Sequence, residues 1–321
     1  MKYAKNILDV IGNTPLVRLN SLTKNIKATV LAKLEYLNPG GSMKDRIGIA
    51  MIEDAEKKGL LKKGGIIVEP TSGNTGVGLA MVTAIKGYKA IFTMPEKIAR
   101  EKELVLKAYG AKVVRTPNAE PNNPNHYINV AKKIAKETKN AYMPNQYHNQ
   151  ENIMAHYRST GPEIWQDTEG KITHFVATVG TGGTITGTAK YLKEKNPKIR
   201  VMGADADGSL LSHYFYNTKG KAHSYKVEGP GEDFMPGALN FGVIDEMMVV
   251  TDKQSFETAR ELVKKEGIFA GGSSGMAVYA AFQVARNLPK DAIVVTILPD
   301  SGRSYISKFY DDNWMKENKF I

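Results

Sequence analysis

Short runs of β-branched and other apolar residues alternate with amphipathic stretches along almost the whole 321-residue chain. The runs Ala28–Glu35, Gly65–Glu69, Lys89–Met94, Lys112–Thr116, His174–Val179, Arg200–Asp205, Glu246–Thr251 and Ala292–Leu298 read as strands. Between them, Ile47–Lys58, Gly76–Lys86, Ala99–Tyr109, Tyr127–Thr138, Ile185–Lys195, Ser255–Glu266 and Gly275–Asn287 repeat apolar residues at helical spacing. Strands that are apolar at nearly every position are covered on both faces. Their alternation with helices predicts parallel sheets, an α/β fold. Two stretches interrupt the rhythm. Thr116–His126 is rich in proline and asparagine, and Asn140–Asn152 reads as irregular, so a boundary between two α/β lobes is expected near the second.

Length alone also suggests about two domains. A hydrophobic content of 42% and a charged content of 24% are ordinary for a globular protein. No apolar run approaches the ~18 residues that span a bilayer, and no signal-like segment follows Met1-Lys2-Tyr3-Ala4-Lys5-Asn6; a cytoplasmic location and no membrane partner are expected. The absence of cysteine excludes disulfides and thiolate metal ligands, and the 6 histidines lack paired ligand spacing, so no metal is expected. The formal net charge of +11 raises nucleic acid as a partner. The lysines, however, stand singly or in pairs such as Lys57-Lys58 and Lys132-Lys133 among acidic residues. That pattern is a solvated surface attractive to small anions, and no nucleic-acid partner is expected.

The candidate chemistry begins at Asn38-Pro39-Gly40-Gly41-Ser42-Met43-Lys44-Asp45-Arg46. A Pro-Gly-Gly turn leads into a helix with Ser42 as a good N-cap, so Lys44 falls in the first turn, where the helix dipole disfavours a cation. Two readings fit. Lys44 reaches out to water, or it is held as a Schiff base with a lowered pKa.

Gly180-Thr181-Gly182-Gly183-Thr184 follows a strand and opens a helix. Glycines there turn backbone N–H groups inward on a small anion, and the threonine hydroxyls add donors, which suits a phosphate monoester. The lysine of a Walker loop and the spacing of a dinucleotide fingerprint are both missing. A tight strand–helix connection is the plainer alternative. Thr71-Ser72-Gly73-Asn74-Thr75-Gly76 repeats the arrangement after another strand and suits a carboxylate. An odd lysine, a phosphate site and a carboxylate site are what a phosphorylated aldehyde cofactor condensing with an amino acid needs.

Together Asn38–Arg46, Glu69–Gly78, Gly180–Gly187, Gly271–Gly275 and Leu298–Ser301 resemble the motif set of the cystathionine β-synthase and cysteine synthase family, pyridoxal-phosphate enzymes of fold type II. The similarity covers essentially the whole chain from Ile11-Gly12-Asn13-Thr14-Pro15-Leu16. It implies two doubly wound parallel-sheet lobes with pyridoxal 5'-phosphate in the cleft between them. The larger lobe would be 1–37 plus 146–321, and 38–145 the smaller, mobile one.

By position, the resemblance implies that Lys44 carries the cofactor and is the catalytic residue. Asn74 would bond its phenolic oxygen, Gly180, Thr181, Gly182, Gly183 and Thr184 its phosphate, and Ser273 its pyridine nitrogen, with Pro299 beside it. Taken alone, Ser273 reads as a helix N-cap. Thr71, Ser72, Gly73, Asn74, Thr75 and Gln146 would bind substrate, with Tyr147, Gly231 and Glu232 on the side of the second substrate. A hydroxyl partner leaves the ring nitrogen unprotonated, which favours loss of a β-substituent over transamination. The implied reaction is β-replacement on L-serine, O-acetyl-L-serine or L-cysteine through an aminoacrylate, with a thiol adding.

Gln146-Tyr147, Ala155-His156-Tyr157, Val227–Phe234 and the ending Leu298–Phe309 lean to the cystathionine β-synthase branch, with homocysteine as thiol and hydrogen sulfide released from cysteine. Tyr147 and His156 also suit plain core packing. Pro230 and Glu232 depart from the animal enzyme, which has isoleucine and tyrosine there. Glu232 fits contact with the thiol's amino group, an acid–base role, or a surface carboxylate. With no haem extension before Ile11 and no regulatory pair after Ile321, no response to S-adenosylmethionine is expected. A homodimer is implied by the resemblance. Cysteine synthase is the alternative activity, and a catalytically silent scaffold the alternative of another class.

Overall fold

The computed structural model describes every residue except Lys2, Lys97, Ala99 and Pro121. Ala99, at which a predicted helix begins, and Pro121 of the proline–asparagine stretch therefore lie outside the described residues. The chain divides into two compact α/β units. One comprises Met1–Ile11 and Asn38–Asn152, the other Gly12–Leu37 and Ile153–Ile321.

The smaller unit holds a four-stranded parallel sheet of β3 (Ile66–Pro70), β4 (Lys89–Pro95), β5 (Lys112–Thr116) and β6 (Ala141–Tyr142), in the order β5-β4-β3-β6. Strands are numbered in chain order through the whole molecule, as are helices. Helices α1 (Lys44–Lys57), α2 (Asn74–Lys86), α3 (Arg100–Ala108) and α4 (Tyr127–Glu137) connect and cover them. Ile67, Val68, Phe92, Met94, Leu79, Ile47 and Ile52 are buried and form the core expected of such strands.

In the larger unit the sheet runs β1 (Leu16–Arg18), β2 (Thr29–Leu34), β10 (Ile293–Leu298), β7 (His174–Thr178), β8 (Arg200–Ala206), β9 (Glu246–Val250). All pairs are parallel except β1 with β2. Its helices are α6 (Thr160–Asp167), α7 (Gly183–Lys195), α8 (Leu211–Tyr216), α9 (Asp252–Glu261), α10 (Gly272–Ala285) and α11 (Asp312–Glu317), and α5 (Gln150–Arg158) spans the boundary in sequence. Helix α10 is apolar on nearly every side, because it packs on β10 and β7 while α9 covers it.

Several expectations need correction. The stretch Asn140–Asn152 is not wholly irregular: β6 pairs with β3 through Ile66 and Ile67, and α5 starts at Gln150. The smaller unit extends to Asn152 rather than 145, because the Asn145 and Gln146 N–H groups bond the Glu69 carboxylate and Asn152 Nδ2 bonds Gln146 O. It also takes up Met1–Ile11, whose short 3₁₀ turn Ile7–Val10 packs on α2. Ser42 is not the N-cap of α1; Met43 occupies that position, and Ser42 Oγ accepts the Lys44 N–H at 3.2 Å. Ser273 is not an N-cap either, since α10 is capped by Gly271 and Ser273 is its second residue.

Candidate active site

In open parallel sheets, ligands gather where neighbouring strands send their connections in opposite directions, at the carboxyl ends. Each unit has one such point. In the smaller sheet it lies between β3 and β6, the strands that lead into Thr71–Gly76 and Pro144–Gln146. In the larger sheet it lies between β7 and β10, which lead into Gly180–Thr184 and Pro299–Ser301.

In the smaller unit, Lys44 is the first residue of α1 and half-buried. The turn before it is held by Asp45, whose Oδ2 accepts the Gly40 N–H at 2.6 Å. Helices α1 and α2 cross in close contact, and a Cβ added to Gly78 would stand 2.7 Å from Lys44 O. That contact fixes the Lys44 backbone against Gly78, a turn further along α2 than Asn74 and Thr75. Gly76 N–H makes the first bond of that turn, to Gly73 O at 3.0 Å, so the Asn74 and Thr75 N–H groups stand ahead of it. Thr75 Oγ1 donates to Gln146 Oε1 at 2.6 Å, drawing Gln146 to the loop, with Tyr147 beside it and half-buried.

Beneath them lies Glu69, 1% exposed at the end of β3, accepting N–H bonds from Asn145 at 2.8 Å and Gln146 at 3.0 Å. Burial pushes its carboxyl up to about 7, and the two N–H bonds only partly offset this. The folded protein thus binds this proton more tightly than the unfolded chain does. Its stabilising contribution is complete below about 4.5 and is lost as pH rises through about 7. At 1.36 kcal/mol per pH unit, the loss is about 3 kcal/mol. Urea unfolding of wild type against Glu69→Gln at pH 5 and pH 8 is expected to show this extra decline in wild type only.

In the larger unit, Thr186 N–H makes the first bond of α7, to Gly182 O at 2.9 Å, so the N–H groups of residues 182–185 precede it at the positive end of the helix dipole. Gly182 has φ +86 and its Cβ would strike the Leu239 backbone at 2.5 Å; that of Gly180 would lie 2.2 Å from Gly229 O. Gly231 N–H bonds Val179 O at 2.7 Å, which brings Gly231 and Glu232 beside the same loop. Ser209 Oγ accepts the Glu232 N–H at 3.0 Å. Burial, with Glu232 next, raises the Tyr225 hydroxyl pKa.

The start of α10 is stitched to the end of β10 by Gly271 N–H to Asp300 O at 3.0 Å, which sets Ser273 near Pro299. Asp300 Oδ2 accepts the Tyr305 hydroxyl at 2.7 Å. A cavity lined by His174, Arg200, Asp245 and Glu246 among others sits at the opposite ends of β7, β8 and β9, away from these loops.

Sequence reasoning missed Glu69 as an organiser, although a lone acid closing the apolar run Ile66-Ile67-Val68 is its signal. It also left His156 undecided. The structure buries this ring completely, with Nδ1 2.9 Å from Thr160 Oγ1 and Nε2 3.0 Å from Thr184 Oγ1, so it braces the glycine–threonine loop. Among the described residues no group of acids and histidines is arranged to hold a metal, and no helix is long and apolar enough to cross a membrane.

Residues 7–300 match the family described as pyridoxal-phosphate dependent enzyme, and the chain belongs to that family. Among its relatives, the cystathionine β-synthase of Apis mellifera is 47% identical over 100% of this chain and 64% of its own length. The chain spans 58% to 64% of the length of that enzyme and its Mus musculus counterpart. An O-acetylserine dependent cystathionine β-synthase from Helicobacter pylori superposes with a TM-score of 0.88 at 38% identity, covering 96% of this chain and 99% of that one. A hydrogen sulfide-producing enzyme from Fusobacterium nucleatum gives 0.87 at 38% identity, over 94% of this chain and 100% of that one. The fold is therefore fold type II.

Proposed function

We propose that this protein catalyses β-replacement on a serine-type amino acid, L-serine, O-acetyl-L-serine or L-cysteine. Homocysteine serves as the thiol that gives cystathionine, and hydrogen sulfide is released when cysteine is the donor. The observation that carries the reading most is the glycine–threonine loop at the β7–β10 divergence. At Gly180 and Gly182 there is no room for a side chain, and the loop's N–H groups precede the first bond of α7. Such a cradle fits the phosphate ester of pyridoxal phosphate.

In this reading Gly180, Thr181, Gly182, Gly183 and Thr184 hold that phosphate, and the Ser273 hydroxyl meets the ring nitrogen beside Pro299. The bound cofactor withdraws electrons from the substrate α-carbon, which makes its proton acidic. Lys44 would hold the cofactor's aldehyde end, and its Nζ, when free of it, would take the substrate α-proton and later return one. Asn74 orients the phenolic oxygen. Thr71, Ser72, Gly73, Thr75 and Gln146 bind the substrate carboxylate, while Tyr147, Gly231 and Glu232 line the approach of the thiol. A homodimer in the cytoplasm, acting on free amino acids and thiols, completes the proposal.

The test is product analysis with serine, O-acetylserine and cysteine as donors, each against homocysteine and sulfide. Cystathionine from any donor supports the reading. The name of the Helicobacter relative makes acetate the leaving group to try first. Cysteine formed from O-acetylserine and sulfide, with homocysteine ignored, would identify a cysteine synthase instead.

A further inference from the structure

The turn that carries Gln146 is tied to a buried acid in another part of the smaller unit. Asn145 has a φ of 55°, in the left-handed region that asparagine, unlike most side chains, adopts. Its N–H and that of Gln146 both point at one carboxylate, Glu69, at 2.8 and 3.0 Å. Gln146 then accepts the Thr75 hydroxyl at 2.6 Å, and its carbonyl accepts Asn152 Nδ2 at 2.8 Å. The chain of contacts therefore runs from a buried acid, through a left-handed turn, to the first turn of α2.

We propose that Glu69 is a positioning residue for amino-acid binding: its carboxylate locks the Asn145–Gln146 turn and so holds the Gln146 carboxamide against Thr75. This rests on the reading that Gln146 and the Thr71–Thr75 loop bind the substrate carboxylate. Only a carboxylate places two acceptor oxygens side by side for two adjacent N–H groups. A glutamine offers one acceptor oxygen and one donor group, so one N–H would face another; an apolar side chain would take the acceptor from both N–H groups. Glu69 is also held against its own burial, which raises its carboxyl to about 7 with no lysine or arginine paired to it among the described residues.

The test uses holoenzyme and L-alanine, which carries the α-carboxylate but no leaving group, titrated through the cofactor's visible absorbance. Wild type, Glu69→Gln, Glu69→Asp, Gln146→Ala and the double variant Glu69→Gln/Gln146→Ala are compared. Glu69→Gln should keep wild-type cofactor content and bind alanine about tenfold more weakly. Glu69→Asp, which restores a carboxylate, should recover most of that loss. The double variant should bind no more weakly than Gln146→Ala alone, since both changes disable one element.

Wild-type affinity in Glu69→Gln beside an impaired Gln146→Ala, or losses that multiply in the double variant, would overturn the positioning role. Wild-type affinity in Gln146→Ala would instead overturn the reading of the carboxylate site. Should Glu69→Gln not fold, Glu69→Asp carries the comparison. Any weakening it shows must vanish in the Gln146→Ala background, and persistence there overturns the proposal.

Discussion

Lys44→Ala is expected to give a folded protein whose turnover falls by about 10⁴-fold. Loss of general acid–base catalysis alone accounts for 10²- to 10⁴-fold, and the same amine is also the attachment point of the cofactor. The fold should survive because the backbone at this position is held by contacts that alanine keeps. The α1–α2 crossing is a backbone contact at Gly78 and Lys44 O, Ser42 Oγ accepts the Lys44 N–H, and Asp45 holds the preceding turn. Alanine is also a better helix former than lysine. Far-ultraviolet circular dichroism should match wild type while steady-state rates collapse. A rate within tenfold of wild type would remove Lys44 from the chemistry.

The second large effect is expected at Gly180. A methyl group there would stand 2.2 Å from Gly229 O, far inside contact distance, and the atom it meets is backbone. Gly180→Ala must therefore push the glycine–threonine loop away from residues 229–231. Overpacking of this kind costs about 1–3 kcal/mol. Because the loop's N–H groups are the proposed phosphate ligands, that strain should appear in cofactor binding, as an affinity lower by about 10- to 100-fold. Thr184 and its His156 brace lie at the other end of the loop and should hold. Cofactor retention during dialysis, followed by absorbance, measures the loss. Full retention would place the phosphate elsewhere.

Much of this was legible in the chain itself, for a physical reason. Strands such as β7 and β10 are buried on both faces, so they read as unbroken apolar runs, and Gly180–Thr184 declares its geometry through residues that few folds place together by chance. The short strands were hidden. The two residues of β6 carry no pattern of their own, and Ala141 and Tyr142 become a strand only because Ile66 and Ile67 offer an open edge. Helices α2, α7 and α10 begin inside the glycine loops, earlier than their apolar periodicity indicates, because the loop residues donate no hydrophobic signal. The role of Glu69 was invisible because its partners, Asn145 and Gln146, lie 76 and 77 residues away in sequence.

The proposed reaction depends on a single attachment point, and that point can be found chemically. Borohydride reduction of freshly prepared protein, followed by proteolysis and mass spectrometry, locates the lysine that bears the pyridoxyl group. The account predicts the peptide containing Lys44. Modification of any other lysine, with Lys44 recovered unmodified, would contradict it.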